Sequence, residues 1–489
     1  MSVFSPVAGE VTRTQVRAKE SEAASGVRSD RLIFNSLLLI IGLAAVPFGS
    51  VEPWWEGIFE SAIFMLGVCW IVTNTIGKRW DVPLMLAPII GLLLLSCLQT
   101  LPFWHTTVGK DLLPGTYQTI SIDPFETTRF VIKFLSVALT LAMLMRYTVS
   151  HQRALALIHL VIIVGAASAV FAICRSGLPA TGFTAMWDGK LQGESFGQFM
   201  NRSHFALLME MSLGPALGLA YCTGHGLKRY LYVAAACIIC LAVILANSRG
   251  GVISMLGQLG FFSWMSFGWA FDGLSSQQHS HSKHRSGLQR VWRRGRTFAL
   301  RCLLSLFLLG AIFFIVLWLG GEPVRHRLES VPGEFVARKG DLENKGPRRL
   351  EIWGATWKLI RAHPLSGSGL GAYKTAITKY LLASNDWRPQ QAHNEYLELV
   401  AGGGVIGGAL GLSFVLILIK DARKRLRETD AFRRAVCLGA LVGLVGVTIH
   451  SLVDFGLHIM VNALVCCALV ALATAKIRSG QVESQSLAI

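Results

Sequence analysis

The segment 154–174 reads ALALIHLVIIVGAASAVFAIC, a run without Lys, Arg, Asp or Glu. Its length matches the ~20 residues that an α-helix needs to cross the hydrocarbon core of a bilayer. Similar apolar runs recur along the chain, and the period-2 alternation of membrane strands is absent. The sequence therefore predicts an all-α integral membrane protein with about 12 transmembrane helices. The expected spans are 32–48, 56–76, 82–98, 130–147, 154–174, 203–221, 230–246, 251–270, 299–320, 399–419, 435–452 and 458–475.

The composition agrees with this fold class. Of the 489 residues, 52% are hydrophobic and 15% are charged, whereas soluble domains carry about 25% charged residues. A net charge of +17 would suggest nucleic-acid binding in a soluble protein. In a membrane protein it reflects the Lys and Arg residues that collect in cytoplasmic loops. We therefore expect the lipid bilayer, and no nucleic acid, as a partner.

The short loops predict the orientation of the chain. Lys and Arg occur in every second loop and are missing from the turns at 51–55 and 452–457, which places both termini in the cytoplasm. The expected organisation is a disordered cytoplasmic tail (1–31), transmembrane helices 1 to 9 (32–320), an outer lid loop (321–398), transmembrane helices 10 to 12 (399–477) and a cytoplasmic tail (478–489).

The outer loop between helices 9 and 10 is expected to be partly helical. Connections of this length usually carry structure or function of their own, and apolar residues recur in it at helical spacing. The apolar face of the predicted helix consists of Leu350, Trp353, Trp357 and Ile360.

Local signals divide the rest of this loop. His363-Pro364 should end the first helix, and the glycines of 367–371 should form a turn. A second short helix is expected at 372–382. The glycine run 402–408 in the following span should allow close packing against a neighbour.

Three polar stretches lie where apolar spans meet the outer side, and they contain Arg202, Arg249 and His393. An Arg costs about 2.5–3.5 kcal/mol at the bilayer centre, so such residues usually face an interior cavity. Two guanidinium groups in one cavity would suit a phosphate or pyrophosphate, and His393 could accept a proton near neutral pH. No cluster of carboxylates accompanies these Arg and His residues in the sequence pattern. This combination suggests group transfer from a phosphorylated lipid without a metal or another cofactor.

Other interpretations of these residues stay open from spacing alone. Arg202 could snorkel to the interface, Arg249 could anchor a turn, and His393 could be a satisfied polar residue. A transporter with a basic substrate path fits nearly as well as an enzyme.

Taken together, the motifs resemble those of a known superfamily. The stretches concerned are Ser121-Ile122-Asp123-Pro124, Phe196–Ala206, Ser248-Arg249-Gly250, Arg349–Trp353, Pro364–Gly371, His393–Leu397, His450–Phe455 and Asn462. In this order, and with the long outer loop between the ninth and tenth spans, they resemble the O-antigen ligases and O-antigen polymerases of the bacterial inner membrane.

The resemblance implies transfer of a glycan from undecaprenyl pyrophosphate on the periplasmic face of the inner membrane. Polymerases of this superfamily pass the glycan to another lipid-linked repeat, and ligases pass it to lipid A–core. The His450–Phe455 pattern favours a polymerase of surface polysaccharide biosynthesis, with the ligase as the alternative. Other polysaccharide assembly proteins are candidate partners. A non-enzymatic flippase of the lipid-linked glycan is the competing class, but the internal repeats that such transporters often show are not visible.

The resemblance also implies roles for particular residues. Arg202, Arg249 and His393 correspond to the essential residues of the superfamily and are the predicted catalytic residues of a metal-independent, inverting glycosyltransferase. His393 would act as general base or orienting group, and the arginines would stabilise the departing pyrophosphate. Many members have Asn-Pro-Asn or Asn-Arg-Asn where this chain has Asn201-Arg202-Ser203, so this stretch departs from the family pattern. The predicted substrate-binding residues are Arg349, Asn201, His204, Asn394, Tyr396, His450 and Asp454.

Overall fold

The computed structural model describes seven stretches of the chain, which are 29–74, 82–102, 104–105, 117–177, 195–278, 349–381 and 389–477. Helices dominate these stretches. They are α1 (29–44), α2 (Pro53–Asn74), α3 (Leu86–Thr100), α4 (Pro124–Tyr147), α5 (His151–Gly177), α6 (Arg202–Cys222), α7 (Leu227–Leu245), α8 (Arg249–Gln278), α9 (Arg349–Ala362), α10 (Tyr373–Ala376), α11 (Glu395–Leu426), α12 (Ala431–His450) and α13 (Met460–Thr474).

Short elements complete the fold. Three-residue 3-10 helices cover Phe48–Ser50, Ile377–Lys379 and Gly456–His458. The two-residue strands β1 (Trp104–His105) and β2 (Tyr117–Gln118) pair antiparallel.

Seven of the helices are long and apolar enough to cross a membrane, namely α2, α4, α5, α6, α7, α11 and α12. The shorter apolar helices α3 and α13 also occupy predicted spans, as do α1 and α8. The predicted span 299–320 lies outside the described residues. The all-α, multi-pass membrane class is therefore confirmed, while the number of twelve spans and the domain boundaries stay predictions.

Side-chain caps fix where two helices beside the site begin. Asn201 precedes α6 and accepts a hydrogen bond from the backbone N–H of Ser203 (2.8 Å). Asn394 precedes α11 and accepts one from the N–H of Leu397 (3.0 Å). Such a bond satisfies one of the N–H groups that a helix start leaves without an intrahelical partner. Both residues, predicted as substrate-binding, thus have a structural task as helix caps.

Helix α6 is the most deeply buried of the seven long apolar helices, with 83% of its apolar stretch buried, and it packs along α12. Glycines spaced four apart on both helices permit this contact, Gly214 and Gly218 on α6 against Gly439 and Gly443 on α12. A Cβ at Gly214 would collide with the Gly439 carbonyl and the Gly443 amide. Close backbone approach at small residues of this spacing is typical of membrane helix pairs. The contact fixes the start of α6 relative to the end of α12.

Helix α11 is broken at Gly404, whose φ of 63° and ψ of −160° are not helical. The segment 364–371 crosses the break. N–H groups of this segment donate to the carbonyls of Ala401 and Gly402 (2.9 and 3.1 Å), and one of its carbonyls accepts from the N–H of Val405 (2.8 Å). Within a membrane protein, irregular backbone is tolerated where the protein itself satisfies the polar groups.

A glutamine completes this junction. The side-chain amide of Gln99 on α3 donates to the carbonyls of Ser366 and Gly402 (2.6 and 2.8 Å) and accepts from the N–H of Leu370 (2.9 Å). The predicted glycine turn and the close packing of the glycine run are both confirmed, and the two features pack against each other.

The first helix predicted in the long loop before α11 is confirmed as α9, which ends at Ala362. The predicted apolar face is confirmed only in part, because Ile360 is 7% exposed whereas Leu350 and Trp357 are 45% and 49% exposed. A second set of residues also recurs at helical spacing, and that set is the one that packs against the protein. Its members are Ile352, Ala355, Thr356, Leu359 and Ile360.

The second predicted helix of this loop, at 372–382, is shorter than expected. It consists of α10 and the 3-10 turn Ile377–Lys379, and residues 382–388 lie outside the described stretches. The hydroxyls of Tyr373 and Thr356 are 2.6 Å apart, which ties α10 to α9.

Replacement of Gly404 by Ala should destabilise the protein. A Cβ there would collide with the Leu365 carbonyl, and residue 404 has a conformation that only glycine adopts readily, at a cost of about 1–3 kcal/mol for other residues. We expect the apparent melting temperature in detergent to fall by several degrees. Gly354→Ala in α9 is the control, because nothing lies within 4 Å of its added Cβ. Equal melting temperatures for the two variants would contradict this account of the break.

Candidate active site

Three histidines surround the carboxylate of Asp454. His204 lies in the first turn of α6, His393 lies just before α11, and His450 ends α12. Oδ1 of Asp454 is 3.5 Å from Nδ1 of His393, and Oδ2 is 4.0 Å from Nε2 of His204 and 3.7 Å from Nε2 of His450. Four of the predicted site residues, far apart in sequence, thus meet within ion-pair distance.

Glu210 joins these residues from deeper in α6 and is fully buried. Its Oε1 lies 2.8 Å from Nδ1 of His450. His450 therefore faces a carboxylate with each ring nitrogen, Glu210 on one side and Asp454 on the other. An imidazole can donate to both only when both nitrogens carry protons. A cation between two buried carboxylates supplies the pairing that a buried charge requires. We refer to His204, Glu210, His393, His450 and Asp454 as the His393 cluster.

The surroundings keep the Asp454 carboxylate ionised although its side chain is only 3% exposed. Burial alone would raise the pKa of this carboxyl. Interactions with His393 and His450, and the nearby ring of His204, outweigh burial and hold its pKa well below the usual range. Asp454 is therefore an anion at neutral pH and can orient a neighbouring imidazole.

The ring of Phe455 connects this cluster to a second polar group. It meets the rings of His204 and His393 edge-on, with centroids 4.9 Å apart in both cases. It also meets the ring of His458 edge-on, at 6.1 Å. Aromatic rings prefer such edge-to-face contacts, so Phe455 restricts the orientation of all three imidazoles.

The second group forms around His458 and joins four parts of the chain. Nε2 of His458 is 3.3 Å from Oε2 of Glu395 and 3.5 Å from Oε1 of Glu398, both on α11. Lys133 of α4 donates to the carbonyl of His458 (2.6 Å) and pairs with Glu56 of α2 (2.5 Å). We refer to these five residues as the His458 cluster. It connects α2, α4 and α11 to the turn before α13.

The two predicted catalytic arginines are the first residues of α6 (Arg202) and α8 (Arg249). The starts of these helices touch, because Oγ of Ser203 and Oγ of Ser248 are 3.1 Å apart. The start of α8 also touches the His393 cluster, since a Cβ at Gly250 would lie 3.4 Å from Nε2 of His450. Both arginines therefore emerge from backbone beside the cluster.

Helices α6, α8 and α11 all begin at this cluster. The N-terminus of a helix carries a partial positive charge, equivalent to roughly half an elementary charge, and presents N–H groups to anions. Three such ends, two of them bearing an arginine, contribute positive partial charges beside the imidazoles. The arrangement suits a substrate with a phosphate or pyrophosphate group.

Two other predicted site residues lie at the edges of this arrangement. Arg349 is the first residue of α9, one turn before Trp353, whose indole N–H donates to the Ala392 carbonyl (3.0 Å). The hydroxyl of Tyr396 donates to the Thr448 carbonyl (2.9 Å) and thereby joins α11 to α12. The observed bond of Tyr396 is structural.

The carboxylates of Glu210, Glu395 and Glu398 were not predicted as site residues from the sequence. Glu210 pairs with His450, and Glu395 and Glu398 face His458, so the expectation that no carboxylate cluster accompanies the Arg and His residues was wrong. A signal existed for Glu210, because an ionisable residue within an apolar span usually has a buried partner. Among the described residues, no group of three or more His, Cys, Asp or Glu side chains is arranged to hold a metal ion.

Residues 234–412 match the family model described as O-antigen ligase. The chain carries a domain of the O-antigen ligase family. This domain runs from within α7 to within α11 and includes Arg249, Arg349 and His393. No curated protein matches the chain.

The O-antigen ligase domain confirms the resemblance in the sequence motifs. The family indicates glycan transfer of the ligase or polymerase type by glycosyltransferase-like enzymes. His204, His450 and Asp454 lie outside the matched segment. The candidate active site therefore combines residues of the O-antigen ligase domain with residues of the flanking helices α6 and α12.

The His458 cluster should make stability depend on pH. Burial of the imidazole disfavours its charged form, but the carboxylates of Glu395 and Glu398 outweigh burial and raise the pKa of His458 from 6.5 to about 9. The protonated imidazole therefore stabilises the folded state fully below pH 6.5, and this contribution is lost as the pH rises through 9. We expect His458→Gln to lower the apparent melting temperature more at pH 6 than at pH 10.

The control for this experiment is His225→Gln, which changes an exposed histidine that contacts Arg229. Its effect should be small at both pH values. A loss of melting temperature in His458→Gln that is the same at pH 6 and pH 10 would contradict the role assigned to the ion pairs.

Proposed function

We propose that the protein transfers a glycan from an undecaprenyl-pyrophosphate-linked oligosaccharide to an acceptor hydroxyl, on the periplasmic face of the bacterial inner membrane. The observation that carries this function is the convergence of His393 and Asp454 with the arginine-bearing starts of α6 and α8. Such a transfer requires a base, a group that orients the base, and a group that binds the anionic leaving group. The O-antigen ligase domain supports the same class of reaction.

His393 is the proposed general base. Its Nδ1 faces the Asp454 carboxylate at 3.5 Å, so Nδ1 carries the proton and Nε2 is left to accept one from the acceptor hydroxyl. A carboxylate that sets the tautomer and direction of a histidine base recurs in hydrolytic triads. Contacts of catalytic groups are often long before substrate binds, and 3.5 Å agrees with such a state.

The proposed step is a direct displacement at the anomeric carbon of the donor sugar. The acceptor oxygen forms a bond to this carbon while the bond from the carbon to the pyrophosphate oxygen breaks. The electron pair of the broken bond stays on the pyrophosphate, and the hydroxyl proton passes to His393. Displacement from the opposite face inverts the anomeric configuration.

Arg249 and Arg202 are proposed to stabilise the leaving pyrophosphate. A guanidinium group binds phosphate oxygens through two parallel hydrogen bonds, and the helix starts that carry both arginines add positive potential. A donor aimed at developing negative charge contributes about 2.7–4 kcal/mol to transition-state stabilisation. Arg349, at the start of α9, is a proposed substrate-binding residue on the side of the outer loop.

The proposed specific activity is polymerisation of lipid-linked repeats, and ligation to lipid A–core is the alternative. Both reactions use the same donor and base, and the His450–Phe455 pattern supports the polymerase. A flippase of the same glycan is disfavoured, because the His393 cluster and the arginine-bearing helix starts gather at one end of the helices. A transporter needs its substrate site to open to both sides in turn.

Activity of the purified protein in proteoliposomes tests the residue roles. With an undecaprenyl-pyrophosphate-linked repeat as donor and acceptor, Arg249→Ala should lower turnover about 10²–10³-fold. His393→Ala should lower turnover about 10²–10⁴-fold, which is the usual contribution of a general base. Arg423→Ala, at the opposite end of α11, should keep wild-type turnover. Wild-type turnover in Arg249→Ala or His393→Ala would remove that residue from its proposed role.

Glycan analysis of a deletion strain distinguishes the two transferase activities. If the protein is a polymerase, only single repeats remain and secreted polymer disappears, and the wild-type gene but not His393→Ala restores the polymer. Core without O-antigen, with accumulation of long lipid-linked polymer, would identify a ligase instead. An unchanged glycan profile would contradict both activities.

A further inference from the structure

The proposed base has a backbone conformation that needs support. His393 has a φ of +51°, in the left-handed region that residues other than glycine rarely adopt. Such residues persist where the surroundings fix them, and they concentrate at functional sites. The neighbours of His393 in the chain should therefore be held tightly.

The residue before His393 is held by two side chains at once. Ala392 is fully buried. Its carbonyl accepts a hydrogen bond from the indole N–H of Trp353 (3.0 Å), and its N–H donates to Oε2 of Glu398 (2.8 Å). Both backbone groups of a single residue are thus bonded to side chains from two different helices, α9 and α11.

The residue after His393 is also fixed. Asn394 caps α11 through the N–H of Leu397 and donates its side-chain amide to the Leu452 carbonyl (2.9 Å). With Ala392 and Asn394 both anchored, the peptide that carries His393 has little freedom. The direction of its imidazole toward Asp454 follows from these anchors.

Trp353 connects this anchor to the outer loop. Helix α9 packs through Ala355, Leu359 and Ile360 into an apolar cluster that also contains Ala392 and Ala401. The packing of α9 holds the indole N–H of Trp353 in place. The hydrogen bond to Ala392 then fixes the orientation of that residue relative to α9. Trp357, one turn later, is 49% exposed and stacks with Arg361. The two tryptophans of α9 are thus in different environments.

We infer that Trp353 and Glu398 are positioning residues, which hold Ala392 between them and so set the imidazole of His393 against Asp454. This role rests on the proposed function of His393 as base. It makes the docking of α9 part of the active site, although α9 belongs to the outer loop and Trp353 touches no atom of the reaction. Small displacements of a catalytic group, of about 1 Å, can lower turnover on the order of 10²-fold.

Trp353→Phe tests this role, because it keeps an aromatic ring and removes the N–H donor. We expect kcat in proteoliposomes to fall about 10–100-fold, with KM changed less than about twofold because the substrate contacts remain. The melting temperature should stay close to that of the wild type. Trp357→Phe is the matched control on the same helix and should leave kcat and KM unchanged.

A double variant separates positioning from a merely structural role. If Trp353 acts through His393, Trp353→Phe should cause no further loss in a His393→Ala background, because the group that it positions is already absent. An equal fold-loss of kcat in both backgrounds would overturn the inference. So would a wild-type kcat in Trp353→Phe when His393→Ala is inactive. Wild-type activity of His393→Ala itself would instead refute the proposed function.

Variants of Glu398 give a second test, which does not depend on whether Trp353→Phe folds. Glu398→Gln keeps an oxygen that can accept from the N–H of Ala392, whereas Glu398→Leu removes it. Glu398→Gln should retain most of the kcat that Glu398→Leu loses, at similar KM. Equal kcat in the two variants would overturn the role of Glu398.

Discussion

The buried carboxylate of Asp454 is the constraint on which the site depends. A carboxylate among apolar helices is tolerated only when cations or hydrogen-bond donors surround it. His204, His393 and His450 supply these partners from three separate elements of the chain. Loss of the carboxylate would remove one partner from each of three imidazoles at once. One side chain therefore connects the starts of α6 and α11 to the end of α12.

The backbone packing deeper in the protein makes this meeting possible. The glycines shared by α6 and α12 bring the two helices into direct contact, and the buried pair of Glu210 and His450 bridges the same helices. Three helix starts then point their positive ends at one place. The proposed recognition of an anionic substrate group would thus depend on the helix arrangement as much as on the two arginines.

The sequence predicts the elements of this fold better than the partners of its polar residues. The spans 154–174 and 435–452 are confirmed as α5 and α12 because the bilayer sets the length of an apolar run. The buried face of α9 was not predictable from spacing, since two sets of residues recur with the helical period and only the packing partner selects one. Glu210 and His450 are 240 positions apart, and no local pattern encodes such a pair. The roles of the arginines came from family resemblance and stay proposals.

The break in α11 has a consequence for the order of biogenesis. The segment 364–371 is synthesised first, but several groups that satisfy its backbone belong to α11, such as the Ala401 carbonyl, 33 positions later, which accepts from the N–H of Ser368. Until that helix has been made and inserted, Gln99 of α3 can satisfy part of this backbone, but the N–H groups of Ser368 and Gly369 lack their partners on α11. The loop before α11 is therefore completed after the span that follows it in the chain, and a nascent protein stalled before Ala401 would have every residue of the glycine turn and only part of the site on which it docks.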